Sequence, residues 1–387
     1  MTLRARITCC LLVSSAFIPQ ARALLNFNEG KDLVFVTASY SIGLDTNVFT
    51  RKSADSSTTH TLAVSADYTR NAGLISVAAN VSASAGRFDD VTGQDFSDPK
   101  FALSFRKRYG RTTGTLGLTA GRESQPDPDA GQRTRTWNTG GNLSLRYPIN
   151  DRYYLTNSFG ANTRLYDNTN QFSDLWTYSD SFAVNYVYSS KLDLNGGYTV
   201  TLSETSRNTT SWDQSLTVGA SGGILPKLSG SIRGGLQRRD SESRVGGDEE
   251  FYAFTSGTTL KWLYSRKLSF NADLNQDFST TSTDVSVNRA TAGLNATFSL
   301  SSKYIANAGV SYTRSDYLGK AGEIPGPNGS AGINRRDYMF QFNASIGAAI
   351  TTHIRTSLAY SYTLNTSNLS SASFERQSLA LTIVATY

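Results

Sequence analysis

The chain has 387 residues, with 37 Lys and Arg against 31 Asp and Glu, and a formal charge of +6. The first 23 residues hold three of the cations and no acidic residue, so the remainder carries only +3. That charge is too small for a nucleic-acid binder, whose basic residues concentrate on one face. Both cysteines, Cys9 and Cys10, lie in this N-terminal segment. A disulfide scaffold, a thiolate zinc site and a Cys nucleophile are therefore excluded from the rest, and no cofactor is expected.

Residues 1–23 have the pattern of a cleaved secretory signal peptide. Arg4 and Arg6 precede a short apolar stretch over residues 7–18, and Ala21-Arg22-Ala23 has the small-x-small form that a signal peptidase recognises. The alternative is a buried N-terminal helix. No later apolar run is long enough for a transmembrane helix. We expect a signal peptide over 1–23, a short periplasmic segment over 24–31 and one domain over 32–387.

From residue 32 onward, apolar and polar residues alternate with period 2, which predicts β-strands. In the first strand Val34, Val36 and Ala38 fall on one face, whereas Thr37 and Ser39 fall on the other. The pattern continues to the C-terminus, with little sustained helical periodicity.

The connections between these segments are of two kinds. Eight are tight turns, three of which share a Ser-x-Lys pattern at 188–192, 264–268 and 300–304. Nine are longer and polar, which gives 17 connections and 18 strands, with 16 as the alternative count. Propeller blades are excluded because they need four strands per repeat. The clearest long connections are 45–58, 87–98, 122–133, 239–250 and 316–336.

Tight turns on one side and long loops on the other are typical of outer-membrane barrels, in which the short turns are periplasmic. Aromatic residues flank the tight turns, as expected of an interfacial girdle. The apolar face also contains small residues, which lipid tolerates but a packed core does not. We therefore predict an all-β, transmembrane, antiparallel up-and-down β-barrel. A soluble secreted sandwich or solenoid is the alternative. The flanking aromatic residues are Tyr147, Tyr153, Tyr186, Tyr188, Trp262, Tyr264 and Tyr304.

The last segment, residues 379–387, has apolar residues at every second position and ends in Tyr387. It resembles the C-terminal signal by which the outer-membrane insertion machinery recognises its clients. Tyr387 is therefore predicted to be part of an insertion signal.

Residues 40–49, Tyr-Ser-Ile-Gly-Leu-Asp-Thr-Asn-Val-Phe, follow the first strand. They resemble the Y-x-x-G-x-D-x-N-V-F stretch near the start of barrels grouped as putative beta-barrel porin 2, some of which are associated with exopolysaccharide secretion loci. The resemblance implies an outer-membrane barrel of about 16–18 strands that acts as a porin or channel, with no established substrate. Asp45 is interpreted as a turn-forming residue at a strand end rather than as a ligand.

If the apolar face contacts lipid, the opposite face lines a channel, and its charges set selectivity. We expect a wide, polar, weakly cationic lumen with a slight preference for anions. The alternative is that opposite charges pair across neighbouring strands and only stabilise the wall. The predicted lining residues are Arg106, Arg146, Arg164, Arg233, Lys261, Arg289, Arg355, Arg376, Asp67, Asp193, Asp213, Asp273 and Asp277.

Loop 317–336 is rich in Gly and Pro, and it either folds inward as a constriction or remains a flexible surface loop. Acidic loop residues such as Asp89, Asp90 and Asp127 lack the ligand spacing of a calcium site and are expected to be solvated. His60 and His353 are predicted to lie at opposite ends of the barrel, so they cannot share a catalytic site. No enzyme activity and no metal site are expected.

The sequence therefore predicts a porin-like channel in the outer membrane of a Gram-negative-type bacterium, through which polar solutes diffuse passively. Its expected partners are outer-membrane lipid, the insertion machinery and polar solutes, with no nucleic acid. Two alternatives remain open. One is an accessory barrel of exopolysaccharide export, which would contact other export components. The other is a plugged structural or adhesive barrel.

Overall fold

The computed structural model describes residues 25–71, 73–243, 247–324 and 332–387. Residues 1–23, predicted to be a signal peptide, lie outside this part of the chain. Eighteen long antiparallel strands form one sheet, each hydrogen-bonded to its neighbours in the chain. They are β1 Asp32–Asp45, β2 Ser57–Arg70, β3 Ile75–Phe88, β4 Phe96–Lys107, β5 Thr113–Asp127, β6 Gln132–Pro148, β7 Tyr153–Tyr166, β8 Leu175–Ser189, β9 Leu192–Thr205, β10 Thr210–Leu225, β11 Leu228–Ser243, β12 Gly247–Trp262, β13 Leu268–Thr280, β14 Ser286–Ser299, β15 Tyr304–Tyr317, β16 Arg336–Ala349, β17 Ile354–Ser367 and β18 Phe374–Thr386.

The sheet closes on itself because β18 pairs with β1, from Thr37 opposite Thr386 to Asp45 opposite Ser378. Tyr387 continues this closure, since its backbone N–H and carbonyl both bond to Val36 at 2.8 and 2.7 Å. The structure is thus an 18-stranded up-and-down β-barrel, and the predicted fold and strand count are confirmed.

Short elements complete the fold. The strand Leu25–Phe27 pairs with residues 32–34 at the beginning of β1. The ladder of β18 with β1 covers residues 37–45, so the short strand pairs with a part of β1 that this ladder does not reach. A second short pair joins Glu323–Ile324 to Ile333–Asn334. Among the described residues, the helical segments are single 3-10 turns at Asn28–Gly30, Lys320–Gly322 and Ser370–Ala372. Within the described ranges, every helix is too short or too polar to cross a membrane.

The two ends of the barrel differ in their connections. At one end, here called the turn end, successive strands are joined by two to five residues. Ser265 and Ser301 each accept hydrogen bonds from backbone N–H groups two and three residues later, at 3.0 to 3.3 Å. Ser189 accepts one such bond from Lys191 at 3.3 Å. The repeated Ser-x-Lys pattern therefore closes the turns through side-chain hydrogen bonds to the backbone.

The opposite end, here called the loop end, has connections of three to 18 residues. Several strands extend into segments that the sequence suggested were loops. Residues 122–133 are mostly strand, with a four-residue connection, and the described parts of 239–250 are strand as well. The strands have 12 to 17 residues, more than the roughly 9–11 that a tilted strand needs to cross a bilayer. The additional strand residues include those at the loop end that the sequence suggested were loops.

Large apolar side chains lie on the outside of the barrel. Leu44, Leu62, Leu216 and Leu236 are 55 to 73% exposed, although they lie within regular strands. In contrast, the buried residues of the described chain are mainly polar, with 26 polar or charged residues against nine hydrophobic ones. This inverted distribution is expected of a barrel that faces lipid on the outside and water on the inside.

One polar pair interrupts the apolar outer face. Asn157 Nδ2 donates to Asp180 Oδ1 at 2.7 Å, between the exposed rings of Phe159 and Phe182. Its amide partner reduces the cost of placing a carboxylate there, because a paired polar group is far less unfavourable than an isolated one.

The wall has two short ladders, and both matter for the lumen. β4 and β5 share only eight residue pairs, ending at Lys100 opposite Gly121. β12 and β13 share only seven, ending at Ser256 opposite Gln276. By comparison, β5–β6 has 15 pairs and β13–β14 has 13. At the loop end the wall therefore separates at two places, while the hairpins on either side of each gap remain intact.

Candidate functional site

The predicted lining residues all lie on the inner face of the barrel. Residues directly opposite each other in a ladder share a face of the sheet, and the ladders continue round the barrel. Asp213 faces Arg239, for example, and Arg164 faces Asn138. All 13 predicted residues have the parity opposite to that of the exposed apolar side chains, although their role in solute passage remains a prediction. By position they are Asp67, Arg106, Arg146, Arg164, Asp193, Asp213, Arg233, Lys261, Asp273, Asp277, Arg289, Arg355 and Arg376.

Several inner charges have partners in the wall. Asp213 receives two hydrogen bonds from Arg239, at 2.6 and 2.7 Å. Asp193 accepts from Tyr154 Oη at 2.7 Å, and Asp67 accepts from Asn80 at the same distance. Arg376 binds Asp45 at 2.5 Å. Part of the inner charge therefore stabilises the wall.

The turn end of the lumen is basic and open to water. Arg106, Arg146, Lys261 and Arg355 all lie within two residues of the turn-end termini of their strands. Arg106 and Arg146 are exposed, and the Arg146 guanidinium lies 3.8 Å from the centre of the Tyr154 ring. In the described part of the chain, Arg106 and Lys261 have no ion-pair partner. These two cations therefore add positive charge to the turn end of the lumen.

The loop end is crossed by one hairpin. Above Gly121, β5 leaves β4, and β6 joins β7 only from Thr136 onward. Residues 122–135, here called the mouth hairpin, therefore have no ladder partner in β4 or β7, and they pair only within the β5–β6 hairpin. From 122 to 129 the hairpin is about 23 Å long at 3.3 Å per residue. This length reaches most of the way across a lumen roughly 35 Å wide between opposite backbones, as estimated from 18 tilted strands spaced about 4.8 Å apart.

Contacts with the surrounding loops hold the mouth hairpin. Arg135 donates to the carbonyls of Gly93 and Asp95 at 2.8 and 3.0 Å. Gln132 donates to Gln171 at 3.1 Å. At its base, the Ser124 backbone and hydroxyl both donate to Asp98 at 2.9 Å. Side chains and loops on several sides therefore fix the hairpin across the mouth.

The tip of the hairpin reaches the opposite wall. Asp129 Oδ1 accepts from Tyr317 Oη at 2.5 Å, and Asp129 Oδ2 lies 3.4 Å from Arg289 Nη2. Arg335 donates to the Asp129 backbone carbonyl at 3.3 Å. β14, which carries Arg289, is nine strands away from β5 in an 18-stranded barrel, so these contacts cross the full lumen.

A second hairpin also turns inward. Residues 277–287, at the loop end of β13 and β14, lie beyond the last pair with β12. The Ser282 carbonyl accepts from Ser173 N at 2.9 Å, and Asp284 accepts from Thr209 Oγ1 at 2.7 Å. Arg239, only 1% exposed, crosses the gap in the wall and donates to the Ser279 carbonyl at 2.9 Å.

The loop end contains a small apolar core. Eight of the nine buried hydrophobic residues of the described chain lie there, and only Tyr154 lies at the turn end. A group this well buried requires that the loops and hairpins pack against one another. The mouth is therefore closed in this structure. The eight are Val48, Phe88, Tyr166, Phe172, Phe278, Val287, Tyr317 and Phe374.

The 40–49 motif contributes to this closure. Asp45 accepts from the Asn47 backbone N–H at 3.0 Å, which is the turn geometry expected from the sequence, and it also binds Arg376. Asn47 donates to the Glu375 carbonyl at 2.9 Å, and Val48 is completely buried. The motif thus fastens the loop after β1 to β18.

Other candidate sites of the sequence are placed as follows. His60 bonds to Tyr40 and Asp89 near the loop end, at 2.7 and 3.2 Å, whereas His353 lies in a tight turn and stacks on Tyr387. Across the described ranges, no group of three or more His, Cys, Asp or Glu residues is placed to hold a metal. Asp127 accepts the Asp129 backbone N–H at 2.9 Å and so shapes the hairpin tip.

The described parts of loop 317–336 belong to the wall that receives the hairpin tip. These parts, residues 318–324 and 332–335, hold Arg335 beside Tyr317, with the guanidinium 4.3 Å from the ring centre. Burial is the largest single influence on Arg335 and disfavours its charge, but the hydrogen bond to Asp337 and the attraction of Tyr317, Asp337 and Asp129 together outweigh it, so the pKa of Arg335 lies above its ordinary value.

The sequence analysis missed the mouth hairpin, although a signal was present. Pro99 in β4 and Pro126 in β5 cannot donate to a ladder, and proline in a sheet is confined to edges. Pro99 lies one residue beyond the last β4–β5 pair, where the two strands part, and Pro126 lies five residues beyond it in the mouth hairpin. No comparable signal marks the β12–β13 gap.

The closed barrel, its apolar exterior and its polar lumen define a porin-like barrel of the outer-membrane type. A model of the family described as putative beta-barrel porin 2 matches residues 197–387, just under half of the chain, and confirms the resemblance seen in the sequence. This range includes the turns at 264–268 and 300–304 but not the 40–49 motif. Among proteins with curated descriptions, none matches this sequence.

Solved outer-membrane proteins are similar in fold. The FrpB iron transporter from Neisseria meningitidis (F3-3 variant) is 10% identical with a TM-score of 0.50, and the match covers 85% of this chain. The chain spans 62% of the length of that transporter. Pseudomonas aeruginosa OccK2 (OpdF) is 12% identical with a TM-score of 0.49, and the match covers 94% of this chain and 99% of that one. Identities this low support the fold alone.

Proposed function

We propose that the chain is an outer-membrane channel through which small polar solutes diffuse passively. The observation that carries this proposal is the inner face, which is lined with hydroxyl, amide and charged groups inside a closed, externally apolar wall. A barrel of this width cannot fill its interior with side chains. The turn end then faces the periplasm, and the loop end faces the exterior.

The basic turn end supports a slight preference for anions. Arg106, Arg146, Lys261 and Arg355 lie near this entrance, whereas the acids Asp67 and Asp193 there already hold hydrogen bonds. These four cations outnumber the two carboxylates, which keep their charge, and field-focusing at a lined entrance favours ions of opposite sign. In planar bilayers under a KCl gradient, we expect a reversal potential that favours chloride.

The closed mouth favours a second candidate, a barrel that stays sealed and serves a structural or adhesive role. Swelling of proteoliposomes in L-arabinose separates the two functions. The most informative comparison uses a shortened variant, in which Asn-Gly replaces residues 124–135. This two-residue turn is suited to the remaining Glu123–Thr136 pair.

A channel predicts swelling faster than that of protein-free vesicles, and faster still in the shortened variant. If neither protein admits the sugar, although both show the heat-modifiable migration of a folded barrel, passive diffusion is wrong and the sealed barrel is supported.

A further inference from the structure

The receiving wall at the hairpin tip has the composition of a ligand site. Each carboxylate oxygen of Asp129 has its own donor, Tyr317 Oη for Oδ1 and Arg289 Nη2 for Oδ2. A planar group with two equivalent oxygens fits such a pair of separate donors. Arg289 is 27% exposed in its side chain, so lumen water can reach it.

The donors are held by the wall itself and not by the hairpin. Arg289 Nε donates to Ser315 Oγ at 3.2 Å. Tyr317 Oη also bonds to Asp337 at 3.2 Å, and Arg335 binds Asp337 through two nitrogens at 2.6 and 3.1 Å. The site therefore keeps its shape when the hairpin leaves.

The charges of this wall are incomplete without the hairpin. Asp337 neutralises Arg335, whereas the ion-pair partner of Arg289 is Asp129, within the residues that the structure describes. Removal of the hairpin tip leaves Arg289 facing the lumen without an anion, while the Tyr317 hydroxyl keeps Asp337 as its acceptor. An unpaired charge of this kind favours binding of an anion from solution.

We propose that Arg289, Tyr317 and Arg335 form a carboxylate-binding site of the channel, which Asp129 occupies as an internal ligand that holds the mouth shut. A small carboxylate solute then competes with Asp129 and favours the open mouth. An internal ligand has an effective concentration on the order of millimolar, so displacement requires solute in that range. This inference rests on the proposed channel function.

Single-channel recording tests the inference at about 0.15 M KCl, where charge contacts are only partly screened. Asp129→Ala is compared with the parent protein and with Asp316→Ala. Asp316 is the matched control. It directly precedes Tyr317 in β15, but its carboxylate points outward and pairs with Arg314 and Arg336 on the outer rim. We expect Asp129→Ala to raise the time-averaged current at least threefold and Asp316→Ala to leave it unchanged.

The ligand site is then probed in the Asp129→Ala background with millimolar succinate, and with succinamide as its uncharged analogue. We expect transient current blockades with succinate and at least tenfold fewer with succinamide. Adding Tyr317→Phe, which removes one hydroxyl without changing the ring, or Arg289→Gln reduces the blockade frequency about tenfold.

Two results overturn the inference. One is an unchanged current in Asp129→Ala while the variant with the shortened hairpin conducts. The other is succinate blockade that persists with both Tyr317→Phe and Arg289→Gln. If even the shortened variant passes no current, the channel function itself fails, so the two failures are distinguishable.

Discussion

At the loop end, single side chains connect strands that are joined by backbone ladders elsewhere in the wall. Arg239 is the clearest case, since its side chain is 1% exposed and bonds to Asp213, the Ser279 carbonyl and Ser286. Because a buried guanidinium satisfies three neighbours from three different strands, it joins β10, β11 and the inward hairpin where direct pairing of β12 with β13 has ended. Its neighbour Arg238, on the outer face, makes only surface ion pairs.

Arg239→Met is expected to lower the free energy of unfolding by about 3–5 kcal/mol, because it leaves the Asp213 carboxylate without its counter-charge. Urea unfolding of the protein in lipid vesicles, followed by Trp fluorescence, measures the change. Arg238→Met serves as the control, and we expect it to have little effect. The double variant Arg239→Met/Asp213→Leu should recover part of the loss, and no recovery would contradict this explanation.

At the scale of elements, the barrel wall is not uniform. The β5–β6 and β13–β14 hairpins stay intact, whereas the β4–β5 and β12–β13 ladders end early. The loop-end parts of these two hairpins therefore turn inward. At the first separation Pro99 lies next to Lys100, the last β4 residue that pairs with β5, and Pro126 lies on the part of β5 that has no β4 partner, which fits the confinement of proline to strand edges. At the second, residues 247–255 of β12 pair with β11 alone.

This gap predicts uneven hydrogen exchange. Backbone amides of residues 248–254 that point away from β11 have no ladder partner, so they should exchange on the order of 100-fold faster than those of residues 309–315. The latter lie in β15 and pair on both sides. Mass spectrometry of peptides from lipid nanodiscs measures the difference. Equal protection of the two segments would show that β12 and β13 pair fully in solution.

As far as the structure describes the barrel, its turn end is exposed to water and its loop end is covered by hairpins and loops. Water reaches the lumen through the basic turn end, whereas two hairpins and a small apolar core fill the loop end. The free energy of closure is divided among polar contacts of separate loops. Opening therefore requires the mouth hairpin to move while the wall remains fixed, which is the pattern expected of low-stability elements on a rigid scaffold.

A disulfide should hold this closed state. A Cβ built on Gly131 lies 3.6 Å from the Arg51 Cβ, close to the spacing of about 3.8 Å in disulfides. In Arg51→Cys/Gly131→Cys we expect oxidation to reduce the single-channel current to less than about a tenth of its value in dithiothreitol. The left-handed backbone of Gly131 costs a cysteine about 1 kcal/mol, which the cross-link offsets.

Arg51→Cys alone is the control and should respond to neither condition. Equal currents in the oxidised and reduced double variant would show that solutes pass without movement of the mouth hairpin.

The sequence by itself determined the class of fold and the direction of each strand face. Alternation with period 2 assigns every residue of a strand to one of the two faces of the sheet. The turn chemistry of Ser265 and Ser301 depends only on neighbouring residues. Strand number and the inner face could therefore be predicted without coordinates. The 13 predicted lining residues follow from this parity alone. Their partners do not, since Arg289 and Asp129 are 160 residues apart.

Tertiary structure alone decided whether the barrel is open. Closure depends on where ladders end and on which loop meets which wall, and both follow from three-dimensional packing of distant segments. For the long, glycine-rich loop 317–336 the sequence left open an inward constriction or a flexible surface loop. Residues 122–135, most of which it placed in a polar connection, cross the lumen. Gly and Pro content indicates how flexible a loop is, but it does not show where the loop lies. The mouth hairpin reaches the opposite wall because its two strands pair with each other and form a stiff element.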